Sequence, residues 1–147
     1  MAQISIFVGT VYGNALQIAE AVKSVLTEQG HQVILFQDGD FQWKAHAERV
    51  ILIITSTTGK GRLPDNIVPL FQKMKDKLLY QPALHYGIIA LGDSSYNTFC
   101  NAGHVFDLLL QEQGATRVGA LLEIDAIERP EPKTFACQWA REWGALL

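Results

Sequence analysis

The chain has 147 residues, with 12 Lys and Arg against 15 Asp and Glu; the net charge of −3 argues against nucleic acid or an anionic membrane as partner. No Pro/Gly-rich linker, repeat or charge block divides it, so residues 1–147 read as one domain large enough for a substantial core. Cys100 and Cys137 form no CxxC pair or framework, no basic segment precedes the first apolar residues, and no apolar run is long enough to cross a bilayer, so a cytoplasmic protein with reduced thiols is expected.

Ile4 to Val8 reads as a strand, and the turn Gly9-Thr10-Val11-Tyr12-Gly13-Asn14-Ala15 leads from it into a helix beginning near Asn14. That helix places Ala15, Ile18, Ala19, Val22, Val25 and Leu26 on one face and ends at Gly30. Val33 to Phe36 is a second strand, broken by Asp38-Gly39-Asp40. Val50 to Thr55 is apolar nearly throughout, as a central parallel strand buried on both faces requires. After Pro64, a second helix is marked by Ile67, Leu70, Phe71 and Met74; Tyr86 to Leu91 is the fourth strand, and Val105, Leu108 and Leu109 lie on the helix behind it. Arg117 to Ile124 is expected to form one uninterrupted fifth strand. Phe135, Trp139 and Trp143 recur at i, i+4 and i+8 on the last helix, a stripe that reads as core packing. The alternation predicts an α/β fold: a doubly wound parallel sheet with helices on both faces.

Three polar loops leave the carboxyl ends of strands: Thr10 to Ala15, Thr55-Ser56-Thr57-Thr58-Gly59-Lys60-Gly61, and Leu91-Gly92-Asp93-Ser94-Ser95-Tyr96. In a doubly wound sheet those ends share one edge, where such folds bind ligands. The first loop leaves backbone N–H groups unpaired at a helix N-terminus, an anion cradle; with no Lys or Arg nearby, a phosphate there is held by neutral donors and the helix dipole.

At these residues the chain resembles the flavodoxin family over essentially its whole length, most closely its short-chain type. The family's phosphate turn usually reads Ser/Thr-x-Thr-Gly-Asn-Thr; here it is Thr10-Val11-Tyr12-Gly13-Asn14-Ala15, with two hydroxyls missing or replaced. Ser56-Thr57-Thr58-Gly59 resembles the second flavin loop, and Gly92-Asp93-Ser94-Ser95-Tyr96 with Phe99-Cys100 resembles the third. The resemblance implies a five-stranded sheet in the order 2-1-3-4-5 and a cofactor, FMN. It implies FMN contacts from Thr10, Val11, Tyr12, Gly13, Asn14, Ala15, Ser56, Thr57, Thr58, Gly59, Leu91, Gly92, Asp93, Tyr96, Phe99 and Cys100. Tyr96 is the stacking candidate against the ring, and Asp93 or its backbone faces the pyrimidine edge. The peptide after Thr58 is expected to rotate, Gly59 making this inexpensive, so that its carbonyl accepts from flavin N5–H once an electron and a proton arrive. Many relatives carry an aromatic ring at the position of Thr58 and acids after the glycine, where this chain has Lys60 and Arg62.

The implied function is a small monomeric FMN electron carrier, not an enzyme, taking single electrons from a flavin reductase to an acceptor enzyme; no catalytic or metal-binding residue is assigned. Two alternatives stay open: an FMN-dependent NAD(P)H oxidoreductase acting on quinone-like acceptors, and a flavodoxin-like module that has lost FMN. Other phosphate-binding classes fail on their own requirements. Gly59-Lys60 lacks the earlier glycine and following Ser/Thr of a P-loop, the first turn lacks GxGxxG, and Cys100 is not followed by the Arg of a low-molecular-weight phosphatase. Phe7 and Val8 stand where a receiver domain needs acids.

Overall fold

The structure, a computed structural model, describes residues 2–11, 13–37, 50–58, 61–77, 80–93, 99–125 and 131–147. Strands β1 (Gln3–Gly9), β2 (Gln32–Phe36), β3 (Val50–Thr55), β4 (His85–Gly92), β5 (Thr116–Arg117) and β6 (Leu122–Asp125) alternate with helices α1 (Asn14–Glu28), α2 (Val68–Lys77), α3 (Asn101–Glu112) and α4 (Pro132–Ala145). The sheet is parallel in the order β2-β1-β3-β4-β5, with β6 also pairing β4, so the expected 2-1-3-4-5 arrangement is present.

Period-two alternation along the strands divides the apolar residues between two cores. Ile4, Ile6, Val8, Leu52, Ile54 and Ile89 face α1 and α4, whereas Phe7, Ile51, Ile53, Ile88 and Ala90 face α2 and α3. Helix α1 buries the six apolar residues its spacing predicted. It stops where Gly30, at φ 91°, donates to the Thr27 carbonyl and His31 donates to that of Leu26, a left-handed ending that glycine adopts without strain. Trp143 is buried in the first core with the half-buried Trp139 stacked on it at 5.4 Å, whereas Phe135 of the same stripe is only half-buried; the buried face of α4 is Ala136, Ala140, Trp143 and Gly144.

One expectation is corrected. The fifth strand is not continuous from Arg117 to Ile124: it leaves the ladder after Arg117 and returns at Leu122. Gly119 takes a left-handed φ of 69°, which no extended strand contains, and the Ala120 carbonyl accepts from Trp139 Nε1–H instead of from β4. Four residues, 118–121, therefore run beside two of β4, Gly87 and Ile88, an interruption of the bulge kind. Helix α3 carries Val105, Leu108 and Leu109 as expected, and its buried face is Ala102, Gly103, Phe106, Asp107 and Leu110. Leu108 is 61% exposed, while Val105 and Leu109 are half-buried. A Cβ on Gly103 would overlap the Ala90 side chain, so the helix presents its glycine to the sheet and rotates Leu108 outward.

Candidate functional site

Strands β1 and β3 end on one rung, and β4 runs two residues past it. Gly9 of β1 lies beside Thr55 of β3, which lies beside Ala90 of β4, so the three polar loops emerge next to one another from one edge of the sheet. The approach at that rung is close: a Cβ on Gly9 would overlap the Thr55 hydroxyl and lie 2.9 Å from the Ile67 side chain. The Ser56 N–H then donates to the Gly9 carbonyl at 2.9 Å, carrying the β1–β3 pairing into the loops.

In the first loop, Thr10 Oγ1 accepts the Gly13 N–H at 2.8 Å, which folds the turn and leaves the hydroxyl hydrogen free to donate outward. Gly13 caps α1 at φ 89° with open space where a Cβ would stand. The first intrahelical bond runs from Gln17 N–H to the Gly13 carbonyl at 3.1 Å, so the N–H groups of Asn14, Ala15 and Leu16 precede the helical ladder. No side chain caps this terminus, and its first turn holds no acid. Helices commonly place a capping oxygen or a carboxylate there; α1 has neither. Val11 stands 54% exposed at the rim. A phosphate monoester fits this donor set, since neutral N–H groups, one hydroxyl and the positive helix end converge without a competing anion.

The second and third loops are tied to each other through α3. Cys100 stands at the N-terminal end of α3 without a side-chain cap, and Thr57 Oγ1 accepts the Ala102 N–H at 3.2 Å in its place. Asn101 Nδ2–H donates to the Gly61 carbonyl at 2.8 Å. Thr58 donates through both its N–H (3.0 Å) and its hydroxyl (3.1 Å) to the Arg62 carbonyl, and Gly61 N–H donates to the Thr58 carbonyl at 2.9 Å, which closes a tight loop around φ 74° at Gly61. Leu91 packs its side chain against the first core and pairs with Ile124 of β6.

Cys100 is fully buried in a left-handed conformation at φ 55°, and its Sγ–H donates to the Ala90 carbonyl at 3.3 Å. Burial, followed by the nearby Glu123 carboxylate, pushes its thiol up to about 12. A group held protonated in this way is a packing element. A Cβ on Gly92 would stand 2.6 Å from the Cys100 backbone nitrogen and 3.1 Å from the Phe99 ring, so the third loop closes onto the start of α3 only with glycine there. His104 in the first turn of α3 meets Glu123 of β6 at 2.8 Å, both about half exposed.

Thr10, Val11, Gly13, Asn14, Ala15, Ser56, Thr57, Thr58, Leu91, Gly92, Asp93, Phe99 and Cys100 thus sit on or beneath one edge. Tyr12, Gly59 and Tyr96, with Lys60, Ser94 and Ser95, lie outside the described residues. Sequence reasoning missed Asn66 and Asn101, whose side chains hold loops they do not belong to. Their only sequence signal was an amide beside a turn, which is common.

The flavodoxin family profile matches residues 6–139. Flavodoxin YqcA of Escherichia coli (strain K12) is 56% identical over 148 residues, covering 100% of this chain and 99% of that one. A solved cysteine-to-serine mutant of flavodoxin from Pseudomonas aeruginosa superposes with a TM-score of 0.90 at 37% identity, over 99% of this chain and 98% of that one. The sulfite reductase [NADPH] flavoprotein alpha-component of Aliivibrio fischeri is 36% identical over 95% of this chain, which spans 23% of its length. Flavodoxins bind FMN and are electron carriers rather than enzymes, which removes the oxidoreductase alternative. Profile, near full-length identity and shared fold agree: this chain belongs to the flavodoxin family.

Proposed function

We propose that this flavodoxin shuttles single electrons in the cytoplasm, as a monomer, from a flavin reductase to a downstream redox enzyme. The observation that carries the reading is the N-terminus of α1, uncapped, free of acid and lined by neutral donors at the edge where three loops meet. The FMN phosphate is held by the N–H groups of Asn14, Ala15 and Leu16 and the Thr10 hydroxyl. The ring would be held by residues of the Ser56–Gly59 and Gly92–Cys100 loops, with Tyr96 as the stacking candidate. Bound FMN supplies the one-electron chemistry. The protein excludes water from one side of the ring and keeps the cradle free of other anions; the Cys100 thiol, protonated below about pH 12, neither adds charge nor attacks the ring.

A relative named as an NADPH-linked flavoprotein contains a similar unit within a much longer chain, which supports an NADPH-linked flavin reductase as the donor. Among the described residues, no helix is long and apolar enough to cross a membrane, and no group of side chains could hold a metal ion.

The test is the purified protein itself: flavin released on denaturation, its stoichiometry, spectra through slow anaerobic reduction, and sedimentation for the monomer. One FMN per chain and two separable one-electron steps are expected, with no steady NAD(P)H oxidation until a reductase is added. Stoichiometric FAD, or NAD(P)H turnover by the protein alone, would overturn the reading.

A further inference from the structure

Strand β2 ends early. Its pairing with β1 stops at Phe7 and Phe36, while β1 runs on to Gly9 and its pairing with β3 continues to Gly9 and Thr55. Because the Gly9 carbonyl accepts from Ser56 on the β3 side, the Val8 carbonyl and the Thr10 N–H face the side that β2 has left. Those two groups sit immediately beneath the phosphate turn, where an unpaired peptide would leave the strand end free to move.

The Asn66 side chain fills the missing rung. Its Nδ2–H donates to the Val8 carbonyl at 2.7 Å and its Oδ1 accepts the Thr10 N–H at 2.9 Å, the two bonds that a residue of a parallel neighbour would make around Gly9. The second Nδ2 hydrogen goes to the Gln37 carbonyl at 2.8 Å, one residue past the end of β2. Both donors and the acceptor are therefore used, and the amide orientation is fixed, since a flipped amide would oppose N–H to N–H. Asn66 is itself anchored: it is the middle residue of a single 3-10 turn, Asp65–Ile67, whose Ile67 is buried against Gly9.

We propose that Asn66 is a positioning residue for the cofactor phosphate, acting through Thr10. By holding the Thr10 N–H it sets the backbone from which the Thr10 hydroxyl reaches Gly13 and, beyond it, the anion. Thr10 N–H is thereby withdrawn from the cradle, which selects the hydroxyl and the N–H groups of Asn14 to Leu16 as the phosphate donors. An Ala or Ser at 66 keeps the turn and the Ile67 anchor while the strand end loses its rung.

The inference rests on the cradle holding the FMN phosphate, so the experiment compares FMN with riboflavin, which lacks the phosphate, by titration onto flavin-free protein. Wild type should bind FMN far more tightly than riboflavin; equal affinities would overturn the cradle reading and this inference with it. Given that difference, Asn66→Ala should weaken FMN about tenfold while leaving riboflavin within about twofold, a loss equivalent to about 1.4 kcal/mol. Asn66→Ser, which keeps a hydroxyl in the space, should give a smaller loss of the same kind and serves if Asn66→Ala does not fold. In a Thr10→Val background, either Asn66 change should have little further effect on FMN, because its route to the phosphate is already gone. Equal losses for FMN and riboflavin, no loss for either, or full additivity with Thr10→Val would each overturn the role of Asn66 while leaving the cradle intact.

Discussion

Gly92→Ala should damage the ring side of the site without touching the phosphate side. The added methyl would stand 2.6 Å from the Cys100 nitrogen, about 0.8 Å inside ordinary contact, and 3.1 Å from both Cys100 Sγ and the Phe99 ring. The nearest atom belongs to the backbone, so no rotamer change relieves the overlap. Retreat of α3 from the sheet would break the Cys100 thiol's hydrogen bond to the Ala90 carbonyl. The displacement falls on residues 92 and 93, which move away from α3 at the edge where the flavin ring is proposed to lie. Overpacking of this kind costs about 1–3 kcal/mol. For a domain of this size that corresponds to a fall in melting temperature of roughly 3–10 °C. Titration of flavin-free protein should show FMN and riboflavin weakened by the same factor, about tenfold or more, since the two ligands share the ring. A wild-type melting temperature with wild-type flavin affinity would refute the packing argument. Loss of FMN with riboflavin retained would put Gly92 at the wrong end of the cofactor.

Alkaline stability should be limited by buried protons. The Cys100 thiol is raised by burial from 9.0 to about 12, so the unfolded chain releases this proton first. The stability it confers is complete below about pH 9 and is lost as pH rises to about 12, by at most about 1.4 kcal/mol per unit. Tyr86, raised by burial and then by its hydrogen bond to Asp107, acts in the same direction at higher pH. Urea unfolding at several alkaline pH values should show a shallower decline for Cys100→Ala than for wild type, and parallel declines would contradict the assignment. Trp143 buries its Nε1–H without a partner among the described residues and lies where a Gly87 side chain would stand. Trp143→Phe removes that N–H and should cost less than about 1.5 kcal/mol, whereas Trp143→Ala should cost about 3–5 kcal/mol; chemical denaturation distinguishes the two. Arg62 is exposed beside the second loop. Reversing it together with Lys60 should lower the potential of the second electron and change the rate of reduction by a flavin reductase in a salt-dependent way. Unchanged potential and kinetics at low ionic strength would make these charges bystanders.

The parts of the fold that were legible in the sequence are those written in local periodicity. The buried face of α1, the apolar run of β3 and the glycine stop at Gly30 each depend on residues within a few positions of one another. The α3 face and the split of the fifth strand were not legible, because they are decided by groups distant in sequence. Ala90 admits Gly103, turning Leu108 to solvent, and Trp139 takes the carbonyl of Ala120. The site divides in the same way. Gly-rich turns after strands mark where an anion can sit, and Gly13 is marked because its φ of 89° excludes other residues without strain. What holds those turns in place is not marked: Thr57 caps α3 across 45 residues, Asn101 reaches Gly61 across 40, and Asn66 reaches Thr10 across 56. Each is a polar side chain bonding to a distant backbone group: Asn66 at the end of β2, Thr57 at the uncapped start of α3, and Asn101 at the Gly61 carbonyl. The sequence shows the polar side chain and cannot show the backbone group it meets, since that meeting exists only once the strands have paired. The cradle of this flavodoxin is therefore built in two stages, its shape from local turn chemistry and its rigidity from long-range amides. A change at Asn66 should alter the second while the first persists, and the FMN-to-riboflavin affinity ratio is the quantity that separates them.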